Sequence, residues 1–135
     1  MLVTAALTCL ALNIYHESRG ESIDGQIAVA LVTRNRMRIQ NKTACEIVFE
    51  NKQFSWANNI NKKISNNKIE IDKQYLPDQT DKNWLRALYI AEASTRMRDY
   101  TDGSTHYHEN SINPWPNMKV TMVIGNHTFC KNEKY

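Results

Sequence analysis

Glycine and proline are scarce in this sequence, at four and three of 135 residues. That excludes collagen-like, linker-rich and low-complexity architectures. The cysteines at 9, 45 and 130 form no C-x-x-C pair and are odd in number, so neither a metal knuckle nor a disulfide framework is indicated. They read as buried thiols of a chain folded in a reducing compartment, a single disulfide being the alternative for an exported protein. No arginine-rich arm and no RNA- or DNA-binding signature accompany the net charge of +3. Such a mild positive balance suits an anionic polymer surface and gives no ground for nucleic acid as a partner. Leu2 to Ile14 is the conspicuous apolar run, and it is too short to span a bilayer. It also lacks the basic start and small-residue cleavage site of a signal peptide. The run therefore reads as a buried helix, without stable membrane insertion.

What is present is ordinary for one soluble domain: 41% hydrophobic and 23% charged residues. A chain of this length buries enough surface to fold without a metal or cross-link, and 1–135 is taken as a single domain. Residues 2–18 read as a helix ended by Arg19-Gly20. A second helix is expected from Asp24 to Ile39, and a short one from Ala44 to Glu50. Residues 57–73 show no clean periodicity and are expected to be a loop with at most a short helix or strand. A further helix follows Pro77-Asp78, capped by Asp78 or Thr80, with Trp84, Leu85, Leu88 and Ala91 on one side. Beyond Gly103, T-H-Y-H and K-V-T-M-V-I-G-N-H-T-F carry β-branched and aromatic residues and read as strands. The fold class is α+β: mainly helical over the first two thirds, with a small antiparallel sheet or hairpin near the C-terminus.

Three features carry chemistry. Glu17, beside Tyr15, His16 and Ser18, emerges at the end of an apolar helix. Partial burial there would raise its carboxyl pKa, as a general acid requires. Glu21 follows after Gly20, so helical spacing does not fix the geometry of the two acids. Taken alone, the pair reads more readily as exposed charge at a helix end. His106 and His108 alternate and so share one strand face; with no H-E-x-x-H or paired cysteines, no metal is assigned. Phe54, Trp56, Tyr107 and Trp115, the last fixed between two prolines, sit among polar turns. Each suits a core role alone, but together they suit a carbohydrate cleft.

Read jointly, C-L-A-L-N-I-Y-H-E-S-R-G-E-S-x-D-G-Q-I-A-V-A-L-V-T-R-N-R-M at 9–37, Q-F-S-W at 53–56, G-S-T-H-Y-H at 103–108, P-W at 114–115 and I-G-N-H-T-F at 124–129 resemble the spore cortex-lytic enzyme and cell wall hydrolase family. The resemblance spans residues 9 to about 130 and lies in the order of the motifs. It implies a lysozyme-like catalytic domain that cleaves the glycan strand of peptidoglycan, most simply as a lytic transglycosylase. Glu17, the first glutamate of the family's E-x-R-G-E motif, would be the catalytic acid. Ser18, Glu21, Gln53, Phe54, Ser55, Trp56, His106, Tyr107, His108 and Trp115 would bind substrate or support it. Asn126 and His127 could belong to the cleft or merely stabilise a turn. No cofactor or metal is implied, and the partner is the glycan strand, met by a monomer. Family members are exported and often carry a wall-binding domain. With neither legible here, the expectation is a phage endolysin, made in the host cytoplasm and reaching the periplasmic wall through a holin. The competing readings are an N-acetylmuramidase or glucosaminidase-type hydrolase, a non-catalytic glycan-binding module, and a zinc amidase using the histidines.

Overall fold

A computed structural model of the chain describes residues 2–3, 6–50, 55–58, 62–65 and 68–133. Its organising element is α1 (Ala6–Ser18), in which every residue from Cys9 to Ile14 is buried. A helix that is apolar on all sides can be stable only when surrounded. Around it lie α2 (Ile23–Gln40), α3 (Ala44–Val48) and α5 (Lys82–Ser94), while Phe129 from the C-terminal sheet closes the same core. A short α4 (Ser55–Asn58) lies between α3 and the first sheet hairpin.

Local chemistry sets the helix ends. Ser22 caps α2 by accepting from the Gly25 N–H, and Asn41 closes it in the left-handed conformation at φ 52°. Thr43 and Glu46 form a reciprocal capping box on α3. Arg36, buried on α2, is matched by Glu50 at 2.9 Å, so its charge does not enter the core alone.

Two three-stranded antiparallel sheets complete the structure. The C-terminal one contains β4 (His106–Glu109), β5 (Met118–Ile124) and β6 (His127–Asn132) in the order β4-β6-β5, as the β-branched pattern predicts. The other, β1 (Leu2–Val3), β2 (Lys62–Ser65) and β3 (Lys68–Asp72), in the order β1-β3-β2, goes beyond the loop with at most a short helix or strand expected at 57–73, since two strands of that segment pair. Its signal is the alternation Ile69, Glu70, Ile71, of which Ile71 is buried. Pairing of Leu2 and Val3 with Asp72 and Ile71 also delays the first helix to Ala6.

Three further corrections follow. Cys9 and Cys45 are not thiols but a disulfide joining α1 to α3, with only Cys130 free and buried. The cap of α5 is Asp81, which accepts from the Asn83 and Trp84 N–H groups; Asp78 instead holds its own turn through Thr80. Leu85 faces outward, and Trp84, Ala87, Ile90 and Ala91 form the buried stripe of that helix.

Candidate functional site

Burial of α1 determines where its last turn points. Ser18 donates its hydroxyl back to the Ile14 carbonyl at 2.7 Å and is itself buried, so it anchors the helix end. Glu17, its neighbour, opens onto a cleft and faces β4. There the Tyr107 hydroxyl donates to its Oε1 at 3.5 Å. Burial holds the Glu17 carboxyl above the usual carboxylate range; the Tyr107 bond opposes this, and the negative Glu109 adds to it. Desolvation thus favours the protonated form of Glu17.

Glu21 has the opposite environment. Its Oε1 accepts the Asn126 backbone N–H at 2.8 Å and its Oε2 the Asn126 side-chain amide at 3.0 Å, across 105 residues of sequence. Those donors, the backbone one foremost, hold its pKa below the ordinary value, helped by the nearby His127. The carboxylate therefore clasps the turn between β5 and β6 to the loop after α1. Gly125 makes the clasp possible: it adopts φ +56°, and a Cβ there would sit 2.5 Å from Glu21 Oε1. Gly125→Ala is accordingly expected to lose about 1–3 kcal/mol of stability, measured by thermal or urea unfolding, and to weaken cleft function more than its stability loss alone explains.

Between these two carboxyls lies a cleft of about 610 Å³ whose lining includes His16, Glu17, Glu21, Glu109, Asn126 and His127. His16 stacks on Trp56 with ring centroids 4.6 Å apart, which fixes one side of the opening. Burial lowers the pKa of both His16 and His127, favouring neutral imidazoles at the cleft edge. Among the described residues no group of three or more His, Cys, Asp or Glu side chains is arranged to hold a metal ion.

Of the residues singled out from sequence, the fold brings Glu17, Ser18, Glu21, Trp56 and Tyr107 together around the cleft or its supports. Strand alternation sends Tyr107 towards Glu17, and its neighbours His106 and His108 towards Trp115, whose ring centroid lies 6.2 and 4.8 Å from theirs. That trio forms a separate aromatic cluster and does not line the cleft. Ser55 opens α4, whereas Gln53 and Phe54 lie outside the described residues. Residues the sequence reading passed over are Asn13, which donates to Tyr107, and Asn110 and Ser111 in the cleft wall. The one sequence signal for Asn13 is a polar residue inside an apolar helix.

A cell wall hydrolase family model matches residues 20–130, beginning three residues after Glu17. The catalytic domain of the Bacillus cereus SleB protein shares the fold at a TM-score of 0.69 and 24% identity, over 93% of this chain and 89% of that one. The catalytic domain of the germination-specific lytic transglycosylase SleB from Bacillus anthracis shares it at a TM-score of 0.68 and 24% identity, over 93% of each chain. No curated protein matches in sequence.

Proposed function

Because the chain belongs to the cell wall hydrolase family, we propose that it cleaves the peptidoglycan glycan strand as a lytic transglycosylase, with Glu17 as the single acid and base. The observation that carries this is the unequal state of the two nearby carboxyls. Glu17 is buried and biased towards its protonated form, while Glu21 is held ionised by Asn126. One group is poised to give a proton and the other is committed to structure.

Protonated Glu17 gives its proton to the glycosidic oxygen between N-acetylmuramic acid and N-acetylglucosamine, and the bond breaks through an oxocarbenium-like transition state. The resulting carboxylate takes the proton of the muramyl 6-hydroxyl, whose oxygen attacks C1 and closes a 1,6-anhydro ring. No second carboxylate and no cofactor enters this sequence of steps. The SleB domain from Bacillus anthracis, described as a lytic transglycosylase, has the same fold and supports this chemistry. In the same reading residues 1–135 are one catalytic domain acting as a monomer on wall peptidoglycan, and its setting is host lysis by a phage. Co-expression with and without a holin tests that setting, since an endolysin lyses only with it.

A second reading has an observation behind it: Glu109 shares the cleft with Glu17. A carboxylate there could activate water, making the enzyme a hydrolase of the same glycan. Mass spectrometry of muropeptides separates the two. Anhydro-muramyl ends are expected, and reducing ends would establish hydrolysis instead.

The pH dependence follows from the acid's state. Glu17 must be protonated to act, and its raised pKa extends the active form to higher pH than an ordinary glutamate allows. Activity is expected to fall as pH rises through that value. Glu109→Gln removes a negative charge that favours the protonated form, so it should move this basic limb to lower pH. Initial rates of wall solubilisation across pH measure both.

A further inference from the structure

Asn13 lies one helical turn before Glu17 and is fully buried among apolar neighbours. Its amide nitrogen donates to the Tyr107 hydroxyl oxygen at 3.2 Å and to Thr33 Oγ1 at 3.5 Å. Thr33 sends its own hydroxyl proton to the Val29 carbonyl, so towards Asn13 it can only accept. That requirement turns the NH₂ group of Asn13, and not its carbonyl, towards both partners. Asn13 Oδ1 is then left buried with no hydrogen-bond partner among the described residues. Buried polar atoms are ordinarily satisfied, and an asparagine kept only for packing has no reason to face this way.

We propose that Asn13 is a positioning residue for the reaction at Glu17, acting through the direction of the Tyr107 hydroxyl proton. Tyr107 has one proton to give. With its oxygen already receiving a hydrogen from Asn13, that proton is directed at Glu17 Oε1. An Oε1 that accepts from Tyr107 cannot conveniently carry the acid proton as well, so the transferable proton resides on Oε2. After transfer, the same bond from Tyr107 stabilises the carboxylate that must next act as base. The donors diverge from the Asn13 amide, one arm passing through Thr33 to the Val29 carbonyl and the other through Tyr107 to a single oxygen of Glu17. No covalent chemistry occurs along either arm.

The kinetic part of this inference rests on Glu17 being the acid and base; the hydrogen-bond part does not. Other titratable and charged groups around Glu17 are Glu109 on β4, His127 on β6, Glu21 in the loop after α1, and His16 and Arg19 near the end of α1 itself. All are unchanged by the substitutions that follow.

The test compares Asn13→Leu, Thr33→Val and Tyr107→Phe with wild type, using the full chain. The first readout is a ¹³C titration of the Glu17 side-chain carboxyl, assigned by its absence in Glu17→Gln. It reports on the carboxyl whatever the protein turns over. Losing the bond from Tyr107 should raise the midpoint in Asn13→Leu and Tyr107→Phe alike, and by less in Thr33→Val. The second readout is steady-state kinetics on soluble glycan strands: kcat should fall about tenfold in Asn13→Leu with KM unchanged. In the Tyr107→Phe background, Asn13→Leu should change neither quantity further. Additive effects in the double variant, or a midpoint unmoved in folded Asn13→Leu, would overturn the proposal. If Asn13→Leu does not fold, an unmoved midpoint in Thr33→Val does so instead. A moved midpoint in a protein whose Glu17→Gln variant still cleaves keeps the hydrogen-bond chain and rejects Glu17 as the acid, which separates the two failures.

Discussion

Glu17→Gln is expected to lower peptidoglycan cleavage by about a thousandfold, within the range that general acid catalysis contributes, while the protein stays folded. Glutamine keeps the shape and can still accept from Tyr107, so the 3.5 Å contact to β4 survives. What it cannot do is release a proton to a glycosidic oxygen or take one back. Stability should hold or rise above neutral pH, and the sign can be worked out. A carboxyl whose pKa is raised on folding stabilises the native state fully below its unfolded pKa. That contribution is lost as pH climbs through the folded value, and a neutral amide carries no such loss. Turbidity clearing of purified walls and a thermal melt at two pH values measure both halves. Full clearing by the variant would reject Glu17 as the acid and leave a different group in the cleft to be found. Binding to walls without product release, by wild type and variant alike, would identify a glycan-binding module.

The second large effect concerns stability. Removing the cross-link with Cys9→Ser and Cys45→Ser together should cost about 3–4 kcal/mol, from the chain entropy regained by opening a loop whose ends are 36 residues apart. For a domain of this size that lowers Tm by roughly 10 °C. Dithiothreitol should reproduce the drop in the wild type and leave the double variant unaffected, which distinguishes loss of the bond from damage by the serines. Cys130 does not complicate the experiment, because it is buried and burial pushes its thiol pKa up, keeping it from attacking the disulfide. Activity at low temperature should change little, since both positions stay enclosed by the core. A melt unmoved by reductant would mean that the helices hold each other without the bond.

The two acids illustrate which parts of the site can be read from sequence. I-Y-H-E-S put Glu17 on a rigid apolar helix near its end, and that local logic carries over directly, because helix periodicity and a glycine break act within a few residues. Glu21 is different: its partner Asn126 lies 105 residues away, and no local pattern could name it. The cysteine pairing, between positions 36 residues apart, was equally out of local reach, since it depends on how α1 crosses α3 and not on spacing. His106, Tyr107 and His108 form an intermediate case. Period-two alternation already separates Tyr107 from its neighbours, yet only the packing of β4 decides which face meets Glu17 and which meets Trp115. For 57–73 the sequence allows a short strand but not the β2–β3 pairing, because a four-residue and a five-residue strand leave little room for alternation to accumulate.

The enclosure of α1 has a consequence for motion. A helix with every residue from Cys9 to Ile14 shut away from solvent can exchange its amide hydrogens only when much of the core opens, so it belongs to the slowest-exchanging part of the molecule. Glu17 therefore rides on the element least able to move, one turn from that protected stretch. The β5–β6 turn across from it is more exposed and is held by the Glu21 carboxylate on one side and by Asn110 on the other. Any widening of the cleft is therefore expected from the side of that turn, against a stationary Glu17.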